Sequence, residues 1–323
     1  MTRFIGLGQL RKLGILGMNR RNIEFIARYN PRSLYPLVDD KLKTKVLARK
    51  YGIPVPELYF SMREQHRVRD LAGLLENLEG FAVKPARGSG GKGILIIKES
   101  GPNAYIKSSG AAITLNDLKR HVSNILGGLY SLAGTPDAAI VEELIHCDDI
   151  FADYSWEGVP DIRIIVFQGY PVMAMLRLTT RVSDGKANLH QGAVGVGLDI
   201  SDGKIINAVQ YSRPIERHPD TNKAFDLVCV PGWREILRLA SCCYEMTGLG
   251  YIGADIVLDK KRGPVLLELN ARPGLNIQLA NGGGLVPRLR VVEDLKKKHA
   301  APEDRVRFAV ETFGRMRQCG NES

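Results

Sequence analysis

No uncharged apolar run in these 323 residues approaches the ~18 needed to span a membrane. The first twenty residues are interrupted by Arg3, Arg11, Lys12 and four glycines and show no cleavage site, so they read as no signal peptide. The five cysteines, Cys147, Cys229, Cys242, Cys243 and Cys319, form no Cys-x-x-Cys pair and no metal-ligand spacing. They suit reduced thiols in a cytoplasmic protein. The six histidines lack the His-Glu-x-x-His pattern and any zinc-like spacing. Lys296–Lys298 is the one basic run, without a nucleic-acid recognition motif or interleaved aromatics, so no nucleic-acid partner is expected. Internal repeats, low-complexity blocks and linker tracts are also absent.

Hydrophobic residues at 44% and charged residues at 25% exclude a mostly disordered chain. The 45 Lys+Arg and 35 Asp+Glu leave 45 − 35 = +10. That charge fits a plain basic surface, or affinity for a polyanion such as ATP, nucleic acid or anionic lipid. Glycine is in excess: 34 residues, about one in ten against ~7% on average. Folded proteins use glycine in tight turns and where backbone approaches a ligand.

Pattern and punctuation predict helices over 19–29, 39–51 (with Leu42, Val46 and Leu47 on one face), 115–130 and 233–246. Thr114 and Asp117 make a capping box for the third. Strands are predicted at 58–60, 81–84, 94–98 and 139–145. Hairpins follow over 161–179 and 254–270. Residues 146–160 read as a loop insertion, 182–197 as an irregular glycine-rich stretch, and the tail from about 287 as helical. Hairpins interleaved with helices, without regular βαβ alternation, argue for α+β.

Four constellations carry chemistry. Gly88, Gly90 and Gly93 match Gly-x-Gly-x-x-Gly, but Ile94–Ile97 continues as strand, so the dinucleotide fingerprint is excluded. The Walker loop fails as well, because Gly93 follows Lys92 and Ala86 replaces the first glycine. Strand, glycine loop, strand suits a flap over phosphates, with Lys84 on the feeding strand. A charge after Phe81-Ala82-Val83 is expected to be half buried and paired. Asp255, Glu268 and Asn270 are oxygen donors on one hairpin, with Leu266 expected on the same face as Glu268 and Asn270. They suit Mg²⁺ or are simply solvent-facing polar residues. Asp161 and Arg163 share a strand face and either pair with each other or grip a ligand. His190, in Asn188-Leu189-His190-Gln191, would alone carry little weight.

In this order the pieces resemble the ATP-grasp superfamily, and within it the ribosomal-protein glutamate ligase branch of α-L-glutamate ligases. The resemblance runs from Asp40-Lys41-Leu42-Lys43 through Val83-Lys84, the glycine loop, Val141-Glu142-Glu143-Leu144, Asp161-Ile162-Arg163 and Asn188-Leu189-His190. It ends with Gly253-Ala254-Asp255-Ile256 and Leu267–Leu275. It implies an α+β ATP-grasp fold, two α/β lobes with ATP between them. The resemblance further implies that the domain preceding these lobes in relatives would be much reduced. The implied organisation is a basic segment over 1–38, an ATP-grasp domain over 39–285 (lobes 39–143 and 144–285) and a helical tail over 286–323. Lys41, Lys84, Ser89, Gly90, Gly91, Lys186 and Asn188 would serve the phosphates, Glu143 and the Leu144 backbone the adenine, and Asp161 the ribose. Asp255, Glu268 and Asn270 would hold two Mg²⁺ ions, with Mn²⁺ as substitute. Arg272, Arg163 and His190 are the catalytic candidates, the arginines for the tetrahedral intermediate. The implied activity is a cytoplasmic, homo-oligomeric ATP- and Mg²⁺-dependent carboxylate–amine ligase. It would work through an acylphosphate and add glutamate or another amino acid to a peptide or small-molecule amine. The competing reading is a nucleotide-binding regulatory module or pseudoenzyme of the same fold. An acidic protein or a membrane surface remains open as a partner for the basic termini.

Overall fold

The computed structural model describes residues 6–314 apart from 89, 102–103, 132–133 and 226–228. Asp39–His146 forms one compact unit, and the residues before 39 with those from Cys147 onward form a second, larger one. Both are mixed helix and sheet, and each sheet is antiparallel. No described helix is long and apolar enough to cross a membrane.

The smaller unit opens on α1 (Lys41–Lys50). Asp40 caps it, its carboxylate accepting from the backbone N–H groups of Leu42 and Lys43 at 3.0 and 3.2 Å. The strands are β1 (Leu58–Met62), β2 (Phe81–Pro85), β3 (Leu95–Ser100), β4 (Tyr105–Lys107), β5 (Ala112–Ile113) and β6 (Ala139–Glu142), in the order β1-β6-β2-β3-β4-β5. α2 (Leu115–Leu126) has the expected Thr114/Asp117 capping box but stops at Gly127, short of the expected Tyr130. Its stripe of Leu118, Val122 and Ile125 packs with Phe81, Val83, Ile97 and Val141. A second cluster, Ala86, Ala138 and Ile140, takes Leu42 of α1. The expected apolar face of α1 is corrected here. Val46 is exposed, while Thr44, Lys45 and Ala48 are buried. A buried carboxylate partner for Lys45, described below, sets that rotation.

The larger unit holds β7 (Asp161–Phe167), β8 (Tyr170–Leu178), β9 (Val194–Leu198), β10 (Ile205–Gln210), β11 (Arg213–Pro214), β12 (Tyr251–Asp259) and β13 (Gly263–Asn270). Their order is β11-β10-β9-β8-β7-β12-β13. Both expected hairpins are present. The stretch expected to be irregular ends in β9, whose alternating Gly195 and Gly197 mask a fully buried strand. The expected loop insertion contains a 3₁₀ turn over Asp149–Tyr154. α3 (Trp233–Thr247) packs on β7, β8, β12 and β13 and is stopped by Gly248 at φ +68°. α4 (Ile277–Asn281), α5 (Val286–Glu293) and α6 (Pro302–Phe313) follow. Residues 18–29 are helical throughout, with a π turn over Arg21–Ile26.

Side chains from residues 16–30 dock on this same unit. The Asn30 amide donates to the carbonyls of Tyr251 and Ala271 at 2.7 and 3.1 Å, and its oxygen accepts from Tyr251 N–H at 2.8 Å. Phe25 stacks edge-on against Phe167, ring centroids 5.6 Å apart.

A bulge shapes the β12–β13 hairpin. Asp255 faces Glu268, yet Ile256 faces Leu266, so Leu267 is the extra residue. Leu266 therefore moves to the Ile256 face and is buried. The expectation that it shares a face with Glu268 and Asn270 fails for that reason.

Candidate active site

Register puts the charged residues of the larger unit on one sheet face. Glu268 pairs with Asp255, Asp255 with Arg163, and Arg163 with Met175, while Asp161 pairs with Arg177 one row along. Directly opposed residues share a face. Asp161 and Arg163, side by side, do not pair with each other. Arg163 grips Asp255 through two bonds, Nε to Oδ1 at 2.7 Å and Nη2 to Oδ2 at 2.6 Å. Asp161 is gripped instead by Arg177, at 2.5 and 2.6 Å, and the same Nη2 donates to Asp255 Oδ2 at 2.8 Å. Two planar forks thus lock two buried carboxylates across three strands.

Burial works to raise the pKa of Asp255, but Arg163 and Arg177 outweigh it and hold the carboxyl below its ordinary value. Asp161 moves the other way. Burial raises it, Arg177 opposes, and the neighbouring Asp255 charge adds to the rise.

Asn270 donates its Nδ2 to Asp255 Oδ2 at 3.3 Å, a long bond that turns its amide oxygen away from that carboxylate. Glu268 stands beside it on the same face and is half-buried. Gly253, one register step away, lets the following turn close in. A Cβ there would lie 2.7 Å from Pro273 Cβ and 3.8 Å from Asn270 Cβ. Arg272 follows this strand in sequence, its guanidinium carbon 5.2 Å from the centre of the Tyr35 ring. Among the described residues, no group of three or more His, Cys, Asp or Glu is placed to hold a metal. A cation here would need the Asn270 carbonyl.

The same face carries a pocket of about 270 Å³, lined by Leu189, His190, Val209, Tyr211, Ser212, Asn276 and Leu279. Val209 pairs with Gly195, and Gly195 with Arg177, which places the pocket on the face of the ion cluster. Asn188 caps the short turn that carries His190, accepting from the His190 N–H at 3.0 Å. At Gly197 a Cβ would meet the Ala280 carbonyl oxygen at 2.3 Å, so only glycine lets α4 form the pocket floor. Tyr211 and Ser212, at φ +49° and +62°, hold a turn that non-glycine residues rarely adopt. Lys186 is half-buried and pairs with Asp184 at 3.1 Å.

The smaller unit holds the remaining candidates. Lys84 is half-buried and paired, as expected. Its ammonium contacts Glu142 Oε1, and Lys45 takes Glu142 Oε2 at 2.9 Å. Lys45 also donates to the Pro56 carbonyl at 2.5 Å. Burial pushes Glu142 up, but Lys84 and then Lys45 outweigh it and hold its carboxyl low. Burial lowers Lys45, with Glu142 opposing. Lys41 donates to the Gly88 carbonyl at 2.8 Å, reaching the base of the glycine loop. Gly90, Gly91 and Gly93 take φ of +63°, +75° and +75°, the left-handed backbone such a loop requires. A His121 ring nitrogen meets the Gly93 carbonyl at 3.0 Å. Glu143 is clamped to Glu57: its N–H donates to Glu57 O at 2.9 Å, and its Oε2 accepts from Glu57 N–H at 3.3 Å. Leu144 adjoins it, and its side chain lies against Gly80. Ser89 lies outside the described residues.

Four functional-looking residues were not singled out in the sequence: Arg177, Glu142, its partner Lys45, and Arg21. Arg177 carried a signal, being a lone charge inside the apolar strand Tyr170–Leu178. Glu142 carried one too, at the end of the apolar Ala139–Val141. Arg21 carried none. Burial pushes Cys147 up to about 11, and it raises Cys242 and Cys243 as well.

The family described as sugar-transfer associated ATP-grasp matches residues 20–294. A probable alpha-L-glutamate ligase of Maridesulfovibrio salexigens is 26% identical over 236 residues, 73% of this chain and 56% of the relative. One of Parasynechococcus marenigrum is 26% identical over 192 residues, 59% of this chain and 31% of the relative. The chain thus spans about half the length of the first and a third of the second. Among solved structures, D-cycloserine synthetase DcsG is similar at 17% identity and TM-score 0.46, over 82% of this chain and 73% of that one. D-alanyl-alanine synthetase A from Vibrio cholerae is similar at 10% identity and TM-score 0.46, over 87% and 66%.

Proposed function

The chain belongs to the sugar-transfer associated ATP-grasp family, and from that premise we propose that it is an ATP-dependent ligase joining a carboxylate to an amine. The observation that carries this reading is the single sheet face on which Glu268, Asp255 and Arg163 stand in register, with Asn270 and Arg272 at its end. Oxygen donors beside guanidiniums are what phosphoryl transfer to a carboxylate needs: charge neutralisation and positioning.

In this reading a carboxylate oxygen of the donor acid attacks the γ-phosphorus of ATP, and ADP leaves. The amine nitrogen then attacks the acyl carbon, phosphate leaves, and the nitrogen sheds a proton. Lys84, Lys41 and the N–H groups around Gly90 and Gly91 would neutralise phosphate oxygens in the smaller unit, with Glu143 and Leu144 toward the adenine. Asp161 would serve the ribose, and Lys186 and Asn188 the phosphate end. Arg163 and Arg272 would stabilise the oxyanion of the tetrahedral intermediate.

The all-oxygen donor set of Glu268, Asn270 and Asp255 fits Mg²⁺. Both Asp255 oxygens already accept from guanidiniums. Glu268 and the Asn270 carbonyl would therefore make the direct contacts, and Asp255 would hold Asn270 in orientation. Mg²⁺, when bound, supplies charge neutralisation at the phosphates. The pocket beside His190 would take the amine. Its lining mixes Leu189, Val209 and Leu279 with hydrogen-bonding side chains, which suits an amino acid, a peptide end or an amino sugar.

The test is ADP release from the purified chain across pairs of carboxylates and amines, with mass spectrometry of the products. Glu268→Gln is expected to lower turnover about 10²–10³-fold, the scale of losing one charge-stabilising group, with an unchanged thermal transition. Turnover equal to the parent would remove Glu268 from the site. ATP binding without any carboxylate-stimulated ADP release would favour a regulatory nucleotide-binding module.

A further inference from the structure

Positive charge is gathered on one part of the larger unit. Residues 11–28 and 286–298 carry ten Lys and Arg against three acids, Glu24, Glu293 and Asp294. The rest of the chain holds 45 − 10 = 35 against 35 − 3 = 32, so these two stretches supply +7 of the +10. They are remote in sequence and joined in space. Arg28 donates to Glu293 at 3.0 Å, the Tyr29 hydroxyl donates to the same carboxylate at 2.5 Å, and Arg290 contacts both Glu24 and Glu293. The carbonyls of Leu13 and Gly14 accept from the N–H groups of Gly284 and Val286, each at 3.1 Å, which seats that turn beside the start of α5. Two of the ten cations, Arg21 and Arg288, turn inward to the carbonyls of Pro273 and Val172, both at 2.7 Å. The other eight, Arg11, Lys12, Arg20, Arg28, Arg290 and Lys296–Lys298, are exposed or half-exposed.

Apolar side chains stand among these cations. Phe25 and Ile26 face the core, but Ile23, between Arg20 and Arg28, is 71% exposed, the most of any large hydrophobic among the described residues. Met18, Leu13 and Val291 are exposed as well, and none of the four lines the pocket beside His190. Water gains nothing from Ile23, and an acidic polypeptide would answer the charge alone. Cations interspersed with exposed apolar groups match a membrane interface, where phosphates take the charges and the acyl boundary takes the apolar side chains.

We propose that this face docks the protein on an anionic membrane surface, with Ile23 and Met18 entering the headgroup boundary and Lys296 and Lys297 meeting the lipid anions. The contact is peripheral, since no described helix is long and apolar enough to cross a bilayer. It does not depend on the ligase reading.

The test is sedimentation of the full chain with vesicles of phosphatidylcholine alone and with about a third phosphatidylserine. Binding is expected to be at least about tenfold tighter to the anionic vesicles and to weaken as salt screens the charges. Lys296→Ser with Lys297→Ser should lower the partition coefficient about tenfold or more, each cation near an anionic surface being worth about fivefold. Lys296→Arg with Lys297→Arg, which keeps the charge, should bind as the parent does. Ile23→Ser should lower partitioning about three- to tenfold, the worth of a partly buried aliphatic side chain. Thermal transitions equal to the parent's confirm that the variants fold. Equal binding to neutral and anionic vesicles overturns the proposal, as does anionic binding that survives the serine variants or Ile23→Ser undiminished. Tighter binding to polyglutamate or duplex DNA than to the anionic vesicles overturns it in favour of an acidic protein or a nucleic acid.

Discussion

Each unit buries an ion cluster, and the two are charged differently. In the smaller unit one carboxylate, Glu142, serves two ammoniums, leaving a surplus positive charge. In the larger unit two guanidiniums serve two carboxylates and the charges cancel. The side chains differ to match. Lysine is a point charge on a flexible stem, whereas the arginine fork fixes a plane and two bonds at once. The first arrangement leaves attraction available for an anion. The second spends its attraction internally and fixes which strand residues stand side by side.

The comparison can be broken most forcefully at Arg177. Arg177→Ala leaves Asp161 without its partner in a buried setting, and unfolding by urea should show a loss of about 3–5 kcal/mol. A loss under about 1 kcal/mol would mean that the cluster is not what fixes the face. In the smaller unit the effect should appear in binding instead. Lys84→Met leaves Glu142 paired with Lys45, so stability should change less, while the KM for ATP rises about ten- to a hundredfold, as for a lost charge-assisted bond. Equal effects of the two substitutions on stability and on ATP would erase the distinction.

The smallest effect sharpens it through pH. The Glu142 carboxyl sits below its ordinary value of 4.5 in the folded protein. Its contribution to stability is therefore complete above that value and drains away as pH falls below it. Glu142→Gln should flatten the acid limb of the stability profile by at most one proton, about 1.4 kcal/mol per pH unit. An unchanged slope between pH 3 and 5 would place the titration elsewhere.

What could be read in advance follows from what is local. The Thr114/Asp117 box and the strand–glycine loop–strand each rest on residues close in sequence or on simple alternation. The partner of Asp161 could not be read, because Arg177 lies sixteen positions on and alternation alone does not choose between it and Arg163. The rotation of α1 was hidden because hydrophobicity ranks Val46 above Lys45, and only the buried Glu142 reverses that order. The bulge at Leu267 and the strand through Gly195 and Gly197 are choices made by neighbouring strands. The resemblance to ATP-grasp and glutamate-ligase-like proteins holds because its motifs are such local pieces in a fixed order.

The Asn30 amide bonds, described above as part of the docking of the early segment, also set an order in time. Asn30 is synthesised long before its partners, Tyr251 and Ala271, 221 and 241 positions later. A growing chain emerges from its N-terminal end. Asn30 must therefore wait until Tyr251 and Ala271 are made before its amide is satisfied, and loop closure over so long a span is slow. Arg21, carried on the same stretch, reaches Pro273 only once that residue, 252 positions on, has been made.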